Sequence, residues 1–440
     1  MGKKALLIGC NYPGTTVELQ GCVNDVNQIR KCLVARFGFS DDDITVLTDT
    51  DDSYTKPTGI NIYNAFTRLV ASAEPGDVLF IHYSGHGTRF PLGTGEDDET
   101  GYDECLVPCD MNFIFDDDLR EIIDQVPEGC RITIVTDSCH SGGLIDGAKE
   151  QIGDSAKHHH GYSYGYVDGG PSVQHSMEVA FKSRGIQFPS EFRHYNHWRE
   201  QEEEKNEKEI NGYWRHGHVK NRALPLPSLI AILNEKKGKD KNEVDVGNLR
   251  STLFKTFGDE VSPKVKKFMN EDKNKNKAQL NANVEGENGG SKGYSSQGLV
   301  GSKAQEFLKL QRKLERAEYT KKVALTAQAV ADIGNQKAYN NGAISSSKRG
   351  LPKGGILISG CQTDQISGDV IPSGKDAAPH GAFSHAILTI IADSDGHDIT
   401  NRELVLKARK LLKTDGFAQQ PGLYCNDDDV DAPFLSAAHL

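Results

Sequence analysis

The sequence predicts an α/β fold with a mostly parallel sheet, and three observations support this class. Four short apolar runs, at 5–9, 78–83, 132–136 and 355–359, have the length and the β-branched content of strands. They lack the alternation of a half-exposed strand, which indicates a sheet that is covered on both faces. Helical patterns lie between the runs, and strand–helix alternation is typical of α/β proteins.

The helices follow from apolar spacing and from punctuating residues. Apolar side chains recur every three or four residues between Val23 and Phe37, and Gly38 is placed to end that helix. Further helical patterns lie at 60–72, 116–125 and about 401–413. Three Asp residues open the 116–125 pattern, where acidic groups favour the positive end of the helix dipole.

Composition excludes several classes of function. The 440 residues carry 51 Lys+Arg against 62 Asp+Glu, a net charge of -11, which opposes nucleic acid binding and favours metal ions or basic peptides as partners. No apolar run reaches the roughly 20 residues that cross a bilayer, and the N-terminus lacks the pattern of a secretion signal. Nine irregularly spaced cysteines oppose a disulfide framework. We therefore expect a cytoplasmic monomer that binds no membrane.

The regular pattern stops near residue 150 and resumes at the 355 strand. Between them, 151–350 is rich in His, Gly, Tyr, Lys and Asn, a composition that buries little and predicts a long, partly disordered insert. Two stretches of this insert, 224–233 and 303–330, have enough apolar residues to dock on the rest of the chain. The sequence thus predicts one α/β domain split by an insert.

Two predicted strands end in residues that can perform chemistry. Ser84-Gly85-His86-Gly87 follows one, and Asp137-Ser138-Cys139 begins at the end of another. If the strands are neighbours, His86 and Cys139 meet at the carboxyl edge of the sheet, where catalytic groups gather. A thiol with a pKa of about 8.5 needs a base to become a nucleophile, and His86 can supply it and later protonate a leaving amine. The adjacent His140 is a weaker candidate base.

The alternative is that neither residue is catalytic. His86 would then be a loop histidine whose hydrogen bonds are satisfied, and Cys139 a buried residue that fills the core. The motifs decide against it. His-Tyr-Ser-Gly-His-Gly at 82–87 and Asp-Ser-Cys-His-Ser-Gly-Gly at 137–143 resemble the catalytic blocks of the metacaspases, which are caspase-fold cysteine proteases. The long insert, Ile-Ser-Gly-Cys-Gln at 358–362 and Gln-Pro-Gly at 420–422 resemble the plant type II branch.

The resemblance implies a caspase-like sheet flanked by helices. Residues 1–150 would form a region like the large catalytic subunit, and 351–440 a region like the small subunit that completes the same domain. Cys139 would be the nucleophile and His86 the base, with the backbone N–H groups of Gly87 and Cys139 as oxyanion donors. A role in programmed cell death is implied by the resemblance alone.

Specificity follows from charge. The nucleophile block opens with Asp137 and the first helix carries Asp25, so a pocket that they share would select a cationic side chain. By itself, Asp25 could equally be a solvated helix residue. The resemblance implies that Asp25, Ser84 and Asp137 line the S1 pocket, which holds the side chain before the cut. Substrates would then be proteins or peptides that are cut after Arg or Lys.

Acidic clusters at 96–99, 103–104 and 116–118 offer the hard oxygen ligands that calcium takes. Surface acids alone would be solvated charge, and the spacing is not that of an EF-hand. The resemblance implies calcium activation, and the predicted ligands are Asp97, Asp98, Asp116, Asp117 and Asp146.

The insert contains its own candidate substrate, because Arg222 precedes the apolar residues that could dock. An ordinary solvated arginine is the alternative. The resemblance implies a zymogen whose linker occupies the cleft as an autoinhibitor, and which cuts itself after Arg222 when calcium loosens the linker. The competing hypotheses are a calcium-responsive scaffold without turnover and a protease of the same fold that cuts after acidic residues.

Overall fold

A seven-stranded sheet forms the centre of this protein in the computed structural model. The model describes residues 2–91, 102–139, 141, 144, 149–153, 213–214, 217–224, 226–237, 249–270, 355–362, 365–373, 377–394 and 397–436. Apart from Asn270, these residues belong to one compact unit made of Met1–Lys157, Gly170–Met269 and Ser347–Leu440. The rest of a second unit, His158–Gly169 and Asn270–Ser346, lies outside the described residues, as does the predicted helical stretch 303–330.

The strand order of the central sheet is β2-β1-β3-β7-β11-β14-β8. The first five strands run parallel to one another, whereas β14 pairs antiparallel with β11 and β8 pairs antiparallel with β14. The strands are β1 (Lys3–Gly9), β2 (Ile44–Thr48), β3 (Val78–Ser84), β7 (Arg131–Asp137), β8 (Glu150–Ile152), β11 (Gly355–Ser359) and β14 (Gly422–Cys425). The four predicted strands and the mostly parallel α/β class are confirmed.

The described residues also form two small antiparallel sheets. One has the order β4-β5-β6, and the other β13-β12-β10-β9. Their strands are β4 (Gly87–Pro91), β5 (Tyr102–Leu106), β6 (Ile114–Phe115), β9 (Tyr213–Trp214), β10 (Gly217–Asn221), β12 (Gly368–Pro372) and β13 (His380–Gly381).

Helices cover both faces of the central sheet. They are α1 (Cys22–Phe37), α2 (Gly59–Ala71), α3 (Asp116–Ile123), α4 (Leu226–Lys237), α5 (Leu249–Phe257), α6 (263–270), α7 (Ala382–Asp393) and α8 (Asn401–Thr414). The helices predicted from apolar spacing correspond to α1, α2, α3 and α8. None of the described helices is long and apolar enough to cross a membrane.

In the central strands other than β8, alternate residues belong to two different cores. Leu6 and Ile8 of β1 pack with α2 and α3, whereas Ala5 and Leu7 pack with α1, α7 and α8. Because both faces of the sheet are buried, consecutive residues of a strand are apolar, which explains the continuous apolar runs in the sequence. All nine cysteines are free thiols, in agreement with the sequence prediction.

Parts of the predicted insert belong to the first of these cores. Leu224, Leu229 and Leu233 are buried there, as are Leu253 of α5 and Val265 of α6. The average polarity of 151–350 conceals these short apolar helices, so more of the insert packs than its composition indicated. The boundaries at 150 and 350 stay a prediction.

Candidate active site

The predicted nucleophile and base follow neighbouring strands. β3 and β7 pair in parallel, and Ser84 and Asp137, their last residues, lie opposite each other. His86 and Cys139 each come two residues later, at the carboxyl edge of the sheet. The structure therefore brings together the two motifs that the sequence singled out.

His86 is held by a loop near the N-terminus. Its Nε2 lies 2.7 Å from the carbonyl oxygen of Val17, and its backbone N–H donates to the Tyr12 hydroxyl at 2.8 Å. The Tyr12 and His86 ring centroids are 4.8 Å apart. Burial lowers the pKa of His86, which favours the neutral ring. Because Nε2 donates to Val17, Nδ1 is the nitrogen left for proton transfer.

The Cys139 thiol is fully buried. Its Sγ accepts the Ser367 backbone N–H at 2.9 Å and lies 3.5 Å from Oδ1 of Asn221. The hydrogen bonds described for the two side chains do not join Cys139 to His86. Since Asn221 belongs to the insert, the chain itself closes access to the thiol.

A segment of the insert runs through the cleft in an extended form. β10 pairs antiparallel with β12, so that Asn221 lies opposite Gly368. The pairing continues past the strand, because the Arg222 N–H donates to the Ser367 carbonyl at 3.0 Å. Beyond it, the Leu224 N–H donates to the Gly87 carbonyl at 3.0 Å. Backbone bonds on both sides thus fix the position of the peptide bond that follows Arg222.

The carbonyl of Arg222 faces a predicted oxyanion donor. The Gly87 N–H donates to the Arg222 oxygen at 3.1 Å. A Cβ at position 87 would lie 1.9 Å from the Cys139 carbonyl oxygen, so only glycine allows this approach. The Cys139 N–H as a second donor stays a prediction.

The Arg222 side chain is fully buried among carboxylates. Its Nη2 lies 3.0 Å from Oδ2 of Asp25 and 2.9 Å from Oδ1 of Asp369. Its Nη1 lies 3.4 Å from Oδ2 of Asp137 and donates to the Ser84 hydroxyl at 2.8 Å. The three predicted pocket residues therefore converge on one guanidinium.

Backbone N–H groups help to hold these carboxylates. Gly381 donates to Asp25 at 2.8 Å, Ser384 donates to Asp137 at 2.8 Å, and Gly21 donates to Asp369 at 2.9 Å. Gly21 caps α1, and Ser384 lies in the first turn of α7, so the positive ends of two helices face the pocket. These donors and Arg222 together make the burial of three carboxylates tolerable.

The pKa of Asp25 and the lack of space around Gly381 both bear on which side chain the pocket can hold. Burial raises the pKa of Asp25 to about 7, although the Arg222 charge opposes that shift. A Cβ at Gly381 would lie 2.2 Å from Oδ2 of Asp137 and 2.6 Å from Nη1 of Arg222. The pocket is therefore shaped for one long cationic side chain.

Sequence reasoning missed Asp369 and Ser367. Ser367 donates its hydroxyl to Asp137 at 2.6 Å and also contacts the Cys139 thiol. Asp369 stands in a short apolar strand, Gly-Asp-Val-Ile-Pro at 368–372, and an acidic residue in such a run was the available signal. No signal in the sequence marked Ser367.

The predicted calcium ligands are only partly described. Asp116 and Asp117 open α3, and both contact Nζ of Lys264, at 3.5 and 2.7 Å. Asp103, which was not predicted as a ligand, contacts the same nitrogen at 2.6 Å. Asp97, Asp98 and Asp146 lie outside the described residues.

The donor set of this cluster fits calcium in kind but not in its present arrangement. Carboxylate oxygens are the ligands that calcium takes, and three of them converge on one cation. Nevertheless, among the described residues no three His, Cys, Asp or Glu side chains are gathered closely enough to hold a metal ion. The space between these carboxylates is filled by the Lys264 ammonium.

His82 next to the pocket should make stability depend on pH. Burial lowers the pKa of His82 to about 4, against about 6.5 for an unfolded chain. Between about pH 4 and about pH 6.5, His82 is therefore neutral in the folded protein and protonated in the unfolded chain. The contribution of His82 is fully present above about pH 6.5 and is lost as the pH falls towards 4, by about 2 kcal/mol at pH 5.

The measurement is the shift in melting temperature between about pH 7.5 and about pH 5, in a Cys139→Ala background. We expect His82→Asn to reduce this shift. His397, which is exposed, provides the control, and His397→Asn should leave the shift unchanged. An equal shift in the His82 variant and its parent would contradict the prediction.

Comparison with known proteins agrees with this geometry. A family model described as "Metacaspase, peptidase C14 domain" matches residues 3–148. Metacaspase-4 of Arabidopsis thaliana is 48% identical over 445 residues, which cover 99% of this chain and 100% of the relative. Metacaspase-7 and metacaspase-6 of the same plant are 45% and 46% identical, each over 99% of this chain and 100% of the relative.

The fold, the paired motifs and these relatives define a cysteine protease of the caspase-like family. The similarity extends over the full length of these relatives and 99% of this chain, so it includes the insert. Within that class, the chain belongs to the metacaspases.

Proposed function

We propose that this metacaspase cleaves proteins after Arg or Lys and is made as a zymogen that cuts itself after Arg222. The single observation that carries the proposal is the position of Arg222. Its guanidinium fills the acidic pocket while its carbonyl accepts the Gly87 N–H, and the preceding residue, Asn221, lies 3.5 Å from the Cys139 thiol. This is how the residue before the cut would bind in a substrate.

The reaction is acyl transfer through Cys139. The thiol gives its proton to His86, and sulfur attacks the carbonyl carbon of the residue in the pocket. The Gly87 N–H stabilises the negative charge that develops on the carbonyl oxygen. The C–N bond breaks as His86 returns the proton to the leaving amine, and water then hydrolyses the thioester.

The buried state of the dyad supports the zymogen. Cys139 is fully buried and His86 is 3% exposed. The insert contacts the Cys139 thiol through Asn221, and it contacts the backbone of Gly87, the residue after His86. A second substrate cannot reach the thiol while residues 217–224 occupy the cleft. Cutting the bond after Arg222 would turn one continuous strand into two ends that can leave.

Calcium is the activator that we propose. Asp116 and Asp117 would contribute oxygens, with Asp97, Asp98 and Asp146 as the other predicted ligands. Bound calcium would supply two positive charges to the buried Asp116 and to the exposed Asp117 beside it. Asp103 joins the candidate ligands because it contacts the same cation as Asp116 and Asp117.

The test is turnover of fluorogenic peptides that differ only at the residue before the cut. The series ends in Arg, Lys, citrulline and Asp, and each is measured with calcium and with chelator, for the native chain and Cys139→Ala. Citrulline keeps the shape of Arg without its charge. We expect turnover of Arg and Lys only, with calcium and with an intact Cys139.

The other outcomes identify the competing hypotheses. Turnover of the Asp peptide would mean specificity for acidic residues. Calcium binding without any turnover would mean a scaffold that keeps the fold. Equal rates for Arg and citrulline would refute the acidic pocket as the source of specificity.

A further inference from the structure

Lys264 joins the insert to the acidic cluster. Its ammonium lies between carboxylates from two elements, Asp103 on β5 and Asp116 and Asp117 at the start of α3, at 2.6, 3.5 and 2.7 Å. The Lys264 side chain is only 12% exposed, and that of Asp103 is 2% exposed. The ion pair between Lys264 and Asp103 is therefore screened much less than a surface pair.

The segment 249–270 is anchored around this contact. The Lys264 backbone N–H donates to Asp118 at 2.9 Å, and Arg250 of α5 reaches the other oxygen of Asp103 at 2.7 Å. Val261 and Val265 on either side of Lys264 are buried in the core. Charged contacts and apolar packing therefore hold the same piece of the insert against the same cluster.

The position of the ammonium excludes a metal ion. Calcium binds its oxygen ligands at about 2.3–2.6 Å, so an ion shared by these carboxylates would stand where Nζ now stands. Two cations cannot occupy one place, and their mutual repulsion adds to the exclusion. A metal ion could therefore bind between these carboxylates only after the Lys264 ammonium had left.

We propose that Lys264 is a latch, an internal cation that calcium must displace, and that its displacement releases segment 249–270 from the acidic cluster. The proposal rests on the proposed function, since it assumes that these carboxylates bind calcium. It adds a mechanism by which calcium binding reaches the insert. The insert that carries Arg222 through the cleft would then lose an anchor further along the chain.

Calcium affinity measures the competition without any cleavage. Titration calorimetry with calcium chloride is done on Cys139→Ala, and on the same chain with Lys264→Met or with Lys267→Met. Lys267 lies on the same helix but is exposed, so it is the matched control. We expect the Lys264 variant to bind calcium about tenfold more tightly, because the competing ammonium is gone. A tenfold gain in affinity corresponds to about 1.4 kcal/mol of binding free energy. The Lys267 variant should bind like its parent.

Hydrogen exchange tests the release without changing Lys264. In Cys139→Ala, peptides from 249–270 should exchange faster with calcium than with chelator, because their anchor is lost. This measurement stands even if Lys264→Met fails to fold.

The outcomes separate the latch from the proposed function. Absence of calcium binding in every variant would overturn both. Binding of equal affinity in all three chains, or calcium that leaves exchange in 249–270 unchanged or slower, would overturn the latch alone. Binding that is detectable only in the Lys264 variant would support the latch, as the case of complete competition.

Discussion

Replacing Arg222 by Gln will abolish cleavage after residue 222 and will expose Cys139 in the uncut chain. The substitution leaves Asp25, Asp137 and Asp369 buried without their shared cation. Removing one partner of a buried ion pair costs about 3–5 kcal/mol. Here this cost reduces the free energy with which the insert docks in the cleft. A cost of this size weakens docking by roughly 10²- to 5 × 10³-fold.

Alkylation of Cys139 by iodoacetamide measures this exposure. In chelator, we expect the Arg222→Gln thiol to react more than about tenfold faster than the native thiol, as the docking cost predicts. Lys220→Gln is the matched control, because Lys220 lies two residues before Arg222, on β10, but donates to the Glu18 carbonyl outside the pocket. Arg222→Lys keeps a cation and should still be cut. Equal alkylation rates for Arg222→Gln and native chain would show that the guanidinium does not hold the insert in place.

Replacing Asp369 by Asn will remove most of the activity towards Arg substrates. The change takes away a carboxylate that lies 2.9 Å from the guanidinium, and leaves an amide of nearly the same shape. Loss of one charged partner in a fully buried pocket costs about 3–5 kcal/mol, so kcat/KM should fall by roughly 10²- to 5 × 10³-fold. We expect the same direction for Asp25→Asn and for Asp137→Ala, with the fold retained.

The controls separate recognition from catalysis. Asp428→Asn makes the same change of charge at an exposed residue and should leave kcat/KM unchanged. The rate of Cys139 alkylation in the calcium-activated enzyme should be similar for Asp369→Asn and its parent, because Asp369 does not contact the thiol in the described structure. Full activity of Asp369→Asn towards Arg peptides would mean that Asp25 and Asp137 are sufficient for binding.

Local patterns predicted the fold well where burial is uniform. The strands that end at Ser84 and Asp137 are apolar on both faces, so their type and their place in a parallel sheet could be inferred from a few residues. The His86 and Cys139 motifs at their ends then gave the edge where chemistry occurs. Asp25 was assigned to the S1 pocket through the resemblance to metacaspases, because a single acidic residue in a helix turn gives no indication that it is buried.

Contacts between distant segments could not be predicted in the same way. Asp369 reaches Arg222 only because β12 pairs with β10, and that pairing joins the insert to the C-terminal region. Lys264 looked like one of many solvated lysines in a Lys-rich stretch, and only the fold brings it to Asp103 and Asp117. The sequence shows which residues are charged, whereas their partners depend on tertiary structure.

Mapping the first cut in the purified chain tests the central claim that the cleft holds the insert as a substrate. Native protein and Cys139→Ala are incubated with calcium or with chelator, and the masses of the intact fragments are measured by mass spectrometry. The account predicts an early fragment that ends at Arg222 and another that begins at Ala223, only with calcium and only with Cys139. A first cut elsewhere, or the same cut in Cys139→Ala, would contradict it.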